Sequence, residues 1–173
     1  MSIKSLLMPI VSAHLMSRDR LLKARAKAER VRQAQGEPHR LHYFHQVDDP
    51  YSALLASRLS ALLARYDIVL SAHVVGPPSE SAAPDRGRLV AYSRADAQRL
   101  AHHYGLNFTD PGEQPADQVP ERVTRRLVAA AEQGRFVEAA EALSASLWQN
   151  TAAQDTLGQH EAAWPEASPS QTV

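Results

Sequence analysis

The chain has 173 residues, no cysteine, and 19 Lys+Arg against 19 Asp+Glu. That length suits one domain with appendages, and the missing thiols exclude disulfides, thiolate metal sites and cysteine-based redox or nucleophilic chemistry. The neutral total hides an asymmetry: residues 1–40 hold nine basic and three acidic residues, so the remaining 133 sum to about −6, a basic arm on a mildly acidic body rather than a basic nucleic-acid-binding domain.

The N-terminal stretch "MSIKSLLMPIVSAHLMSR" is apolar but broken by Ser12 and His14, and no small-x-small cleavage pattern follows it, which argues against a secretory leader. No apolar run approaches the ~20 residues of a membrane span, so the expected compartment is the cytoplasm. Residues 10–35 read as one helix, with Pro9 in the first turn and Gly36 as the stop. Val11, Leu15 and Leu22 fall within a stripe of about 40°, while from Arg18 to Arg32 the basic residues point all round. This arm, residues 1–39, reads as a solvated or docking helix. Contact of residues 10–35 with nucleic acid or an anionic membrane surface is a second reading, weakened for nucleic acid because no aromatic is interleaved with the arginines.

"RLHYFHQV" (40–47) has the aromatic and β-branched composition of a strand. "SALLASRLSALLARY" (52–66) places apolar residues at 54, 55, 59, 62, 63 and 66, which is helical spacing. "DIVLSAHVVG" (67–76) returns to a strand and stops at Gly76-Pro77-Pro78. Strand, helix, strand over about 37 residues is a βαβ unit, whose strands should be parallel with a right-handed crossover. The fold class is therefore α/β.

After a loop at 77–88 the pattern is helical. "SRADAQRLAHHYG" opens on a Ser93/Asp96 pair resembling a capping box and closes at Gly105. "NFTDPGEQPADQ" is a second turn-rich loop. Pro120 then starts a helix with Val123, Leu127 and Ala130 on one face, ended by Gly134, and Phe136, Ala140, Leu143 and Leu147 mark one more. From Asn150 the amphipathic pattern fades, and a frayed or disordered tail is expected over 150–173.

The candidate site lies at "HQVDDPYS" (45–52), where the first strand hands over to its helix. Asp49-Pro50 suits an N-cap followed by the first helical position. The carboxylate also meets the positive end of the helix dipole, with Tyr51 and Ser52 in the first turn. A well-capped buried helix explains this pattern as well as a functional site does. The functional reading rests on location, because ligands of parallel α/β units bind beyond the carboxyl ends of the strands.

"HYFHQVDDPYSALLASRLSALLARYDIVLSAHVVG" resembles the opening βαβ of DsbA-like thioredoxin-fold proteins, and is most similar to the branch of 2-hydroxychromene-2-carboxylate isomerases and kappa-class glutathione transferases. In that branch a strand runs into Ser-Pro-Tyr-Ser and then a Leu/Ala-rich helix, at the place where redox relatives carry Cys-x-x-Cys. The resemblance implies a thioredoxin-like domain over 40–149 with a helical insertion at 86–149. It implies glutathione as the cofactor class, and a glutathione-linked isomerase or oxidoreductase as the activity class. It places Asp49 at the position of the glutathione-facing serine, with Pro50, Tyr51 and Ser52 completing the cofactor-facing set.

Two departures change what the resemblance implies. An ionised Asp49 would repel a thiolate that the serine would hold, by about 4 kcal/mol at ~4 Å and an effective dielectric near 20. Asp49 would then act as a base with Ser52 as the ligand-facing hydroxyl and His45 as a neighbouring acid–base partner, or the site is catalytically degenerate, which is the expectation here. The second half of a thioredoxin fold is also missing: no strand hairpin is legible after residue 76, so the chain is expected to be the N-terminal half of a longer protein. Two parallel strands are not a self-sufficient sheet, so helices should cover both faces, or a partner or a second copy of the chain should supply the rest. The alternatives to a small-molecule thiol as ligand are a non-catalytic interaction module with a protein partner, and a peripheral adaptor acting through the arm.

Eight histidines raise a metal hypothesis that spacing opposes, and no metal site is expected. His102 and His103 are adjacent on a helix, and His42 and His45 point to opposite faces of a strand. His73, on the second strand, is placed to approach one of them across the ladder.

Overall fold

The structure, a computed structural model, describes residues 17–116, 118–149, 160 and 163–165. The chain divides into two units, residues 1–39 and 40–173.

In the first unit, α1 (Arg18–Gln35) is capped at its start by Ser17, whose hydroxyl accepts from the Arg20 N–H. Gly36 ends it at φ 65°, where its own N–H and that of Glu37 return to the last carbonyls. Glu29 binds Arg32 through two contacts of 2.9 and 2.6 Å, and this pairing holds the Glu29 carboxyl down at about 2. No residue of α1 is buried. The single helix expected over 10–35 is corrected at Ser17, whose extended backbone (ψ 135°) interrupts a helical path; residues 10–16 lie outside the described residues.

The second unit opens with β1 (Arg40–Gln46), α2 (Pro50–Arg65) and β2 (Val69–Val75). The strands are parallel, in register from Arg40 opposite Val69 to Gln46 opposite Val75. This is the βαβ unit read from the sequence. Three helices follow: α3 (Arg86–Tyr104), α4 (Gln118–Glu132) and α5 (Phe136–Gln149). Helix α2 packs chiefly on α5 and also on α3, while α4 packs on α5 and touches β2. Among the described residues no strand follows β2, and no helix is long and apolar enough to cross a membrane.

The core is contributed by Tyr43 and Val47 from the first strand and its exit, Leu54 and Leu59 from α2, Val123 and Leu127 from α4, and Phe136, Leu143 and Trp148 from α5. The anticipated stripes on α4 and α5 are all buried. Alanines at 56, 97, 101, 139 and 140 are buried with them, which lets helix backbones approach closely around few large side chains. The tail is not wholly apart from this core. His160 Nε2 lies 2.8 Å from the Ser146 hydroxyl, Trp164 is buried, and the Arg135 guanidinium sits 4.2 Å from the Trp164 ring centre. The rest of the expected frayed tail lies outside the described residues.

Helix α3 corrects one boundary. Ser93 and Asp96 do not start it: the helix begins at Arg86 behind Asp85, which makes no side-chain cap bond, and Ser93 is buried in mid-helix. The four-residue spacing of buried Ser93, Ala97 and Ala101 is the helix's packing stripe, so a polar residue that looked like a cap is a small residue facing the body.

Among the described residues the sheet is covered on one face only. Alternation sends Tyr43 and His45 inward, and Leu70, Ala72 and Val74 pack beside them against the core. The opposite face carries His42, Phe44, Val69, Ser71, His73 and Val75, with Phe44 61% exposed. The helices therefore do not cover both faces, as a two-stranded parallel sheet was expected to require.

Candidate functional site

The turn from β1 into α2 brings the predicted residues together. Asp49 caps α2 with an extended backbone, and Pro50 takes the first helical position. One Asp49 oxygen, Oδ2, accepts both the Ser52 backbone N–H at 2.8 Å and the Ser52 hydroxyl at 2.9 Å. The Ser52 oxygen in turn accepts the Gln46 N–H at 3.3 Å. The serine's only proton is thus directed to the aspartate, and its oxygen is tied to the end of the strand. Here the N–H donor that helix geometry offers to an anion is taken by the chain's own carboxylate.

Tyr51 turns away from this cap. Its hydroxyl donates to Asp96 Oδ2 on α3 at 2.8 Å. Burial, reinforced by that carboxylate, pushes the Tyr51 phenol up to about 12. The ring forms one wall of an apolar groove of about 440 Å3 between α2 and α3, shared with Leu54, Leu55, Leu100 and Tyr104.

His45 sits beneath the cap rather than on its open side. It is only 1% exposed, its Nδ1 is 2.8 Å from the Tyr43 hydroxyl, and its ring meets Phe136 edge-on. Because the Tyr43 hydroxyl donates to the Ser52 carbonyl at 3.1 Å, the Tyr43 oxygen must accept from Nδ1–H. This assigns the tautomer from the network. The Nε2 lone pair is buried with no hydrogen-bond partner among the described residues. Burial lowers the imidazole to about 4, and raises the Tyr43 phenol, with the nearby Asp49 carboxylate adding to that rise. His45 is therefore joined to the Asp49–Ser52 pair through Tyr43 and the Ser52 backbone.

Asp48 faces the more open side. Its carboxylate accepts from Gln46 Nε2 at 2.9 Å and lies 3.4 Å from an Arg86 nitrogen, while its carbonyl accepts from Gln114 Nε2 at 3.1 Å. Beyond the carboxyl ends of both strands lies a cleft of about 550 Å3, lined by Val47, Asp48, Val75, Pro77, Thr124 and Arg125 among others. Trp148, buried on α5, reaches the Val47 carbonyl with its indole N–H at 3.4 Å.

Sequence reasoning named Asp49, Pro50, Tyr51, Ser52 and His45. It missed Arg86, Asp96, Gln114 and Trp148, which reach the turn from 38 to 101 residues away. No local pattern marks such partners. It also passed over Arg126, which is fully buried on α4 between recognised core positions.

No protein-family model and no curated protein sequence matches the chain. Among solved structures, a 2-hydroxychromene-2-carboxylate isomerase superposes with a TM-score of 0.51, over 72% of this chain and 66% of that one, at 17% identity. The fold is shared. The thioredoxin-like α/β architecture implied by the sequence resemblance is present, and the match spans just under two thirds of that isomerase's length.

Proposed function

We propose that this chain is a cysteine-free thioredoxin-fold relative of 2-hydroxychromene-2-carboxylate isomerases that has given up thiol activation and retains a small-molecule site at the strand ends. The observation that carries this reading is the Asp49 carboxylate on the Ser52 N–H and hydroxyl. In the glutathione-using branch that the sequence resembles, a serine hydroxyl at position 49 would face the sulfur. Here that position holds a carboxylate bound to the Ser52 N–H and hydroxyl, and a thiolate within ~4 Å of it would be repelled by about 4 kcal/mol at an effective dielectric near 20.

The cleft over Asp48 falls within the roughly 300–1,000 Å3 of small-molecule sites. Its mixed lining of Val47, Val75, Pro77, Thr124 and charged side chains suits a mainly apolar organic molecule with a few polar groups.

The test is calorimetric titration of glutathione into the native chain and into Asp49→Ser. The native chain should give no saturable heat at millimolar glutathione, and the serine variant should gain binding by at least tenfold. Submillimolar glutathione binding by the native chain, or its turnover of 2-hydroxychromene-2-carboxylate, would overturn the proposal.

A further inference from the structure

Outside this site, the exposed face of the sheet carries a preformed pair of imidazoles. His42 on β1 and His73 on β2 are not direct ladder partners: His42 stands opposite Ser71, and His73 opposite Phe44. The small Ser71 leaves room for the His42 ring to lean diagonally. The His42 Nδ1 and His73 Nε2 atoms meet at 3.1 Å. The ring planes differ by 18° with centroids 5.4 Å apart, so the two nitrogens face each other nearly head-on. Phe44 stacks on the other flank of His73, at 4.9 Å and 19°, and holds that ring in place.

We propose that His42 and His73 form a two-imidazole binding site for a divalent transition-metal ion of the nickel, copper and zinc class. Imidazole nitrogens bind such ions at about 2.0–2.1 Å, and two bonds of that length from atoms 3.1 Å apart enclose roughly 100°. That angle suits adjacent positions of a tetrahedral or octahedral ion. Converting the hydrogen bond into a chelate turns each ring by about 40° away from the line between the two nitrogens, a motion open to two side chains on an uncovered face. The donor ring then carries its hydrogen on the far nitrogen, so both rings bind as neutral imidazoles and no proton is lost from the pair.

Among the described residues no three His, Asp or Glu side chains are grouped to hold a metal, so water or a second ligand completes the coordination. The strand pairing brings the two donors within chelating reach before the ion arrives. That separates this pair from His102 and His103, which follow each other on α3 and leave it pointing different ways.

The experiment is titration of Ni2+ into the untagged full chain by calorimetry, repeated with His42→Ala, His73→Ala and a His102→Ala/His103→Ala control. A saturable site with a micromolar dissociation constant is expected. Each of the first two substitutions should weaken it by at least the ~10–100-fold that even the hydrogen-bond partners of a metal ligand are worth, and the control should not change it. One ion per chain or one per two chains supports the site equally, provided both single variants lose it. Cu2+ electron paramagnetic resonance supplies a second readout, with nitrogen couplings from two imidazoles in the native chain and fewer in either variant. Absence of Ni2+ binding up to millimolar metal, or binding that survives both single substitutions, overturns the proposal.

Discussion

The two faces of the β1–β2 sheet give the same side chain opposite chemistry. His45 and His42 stand three residues apart on one strand. His45 points inward, is sealed against Tyr43 and Phe136, and has its imidazole lowered to about 4 by burial. His42 points outward, shares a hydrogen bond with His73 and meets solvent. The inner face is a packed wall that resists charge, whereas the outer face is an accessible donor surface. Strand alternation alone separates them, and the helices then decide which face is closed.

The sharpest way to break that comparison uses neighbours on the strand. Tyr43→Ala should destabilise the chain by about 3–5 kcal/mol, as buried aromatic truncations do, with the further loss of its hydroxyl's contacts. Phe44→Ala, one residue on, should stay within about 0.5 kcal/mol, as exposed substitutions do. Equal costs in urea denaturation would show that both faces are covered.

Next in size is a pH effect. His45 is lowered to about 4 in the folded chain from an ordinary value near 6.5, so between these values the unfolded chain binds the extra proton. Stability therefore falls as pH drops through that window, by about 3 kcal/mol in all. His45→Gln should remove this slope while leaving acid unfolding by the carboxylates in place. A native chain as stable at pH 4.5 as at pH 7, relative to the variant, would contradict the burial of this ring.

Smaller again is the cap between the two faces. Asp49→Ala should cost about 1 kcal/mol, the usual worth of an N-cap side chain. Asp49→Ser should cost less, because serine caps a helix too. Thermal denaturation of the two variants separates capping from ligand chemistry, since only the serine variant is expected to gain glutathione binding.

Much of this molecule was legible in the sequence. The βαβ unit, the parallel pairing, the Asp49-Pro50 helix start and the buried stripes of α4 and α5 depend on local periodicity and turn chemistry, which act between residues a few positions apart. One misreading came where a local rule competes with packing, the other where two local rules, helical spacing and N-capping, compete. Ser93 matched a cap and proved to be a small residue buried in mid-helix. Residues 10–35 matched one helix, but Ser17 interrupts it.

By itself, the sequence determined that no thiol can act here and that a carboxylate, not a hydroxyl, begins helix α2. It also determined that His42 and His45 lie on opposite sides of a strand. Only the tertiary structure decided that Tyr51 would reach Asp96, that His45 would be the buried histidine, and that His73 would come within 3.1 Å of His42. Alternation distinguishes two faces without saying which is inside. That choice follows from where the apolar surfaces of α2, α4 and α5 find enough area to bury together, a sum over residues far apart in the chain.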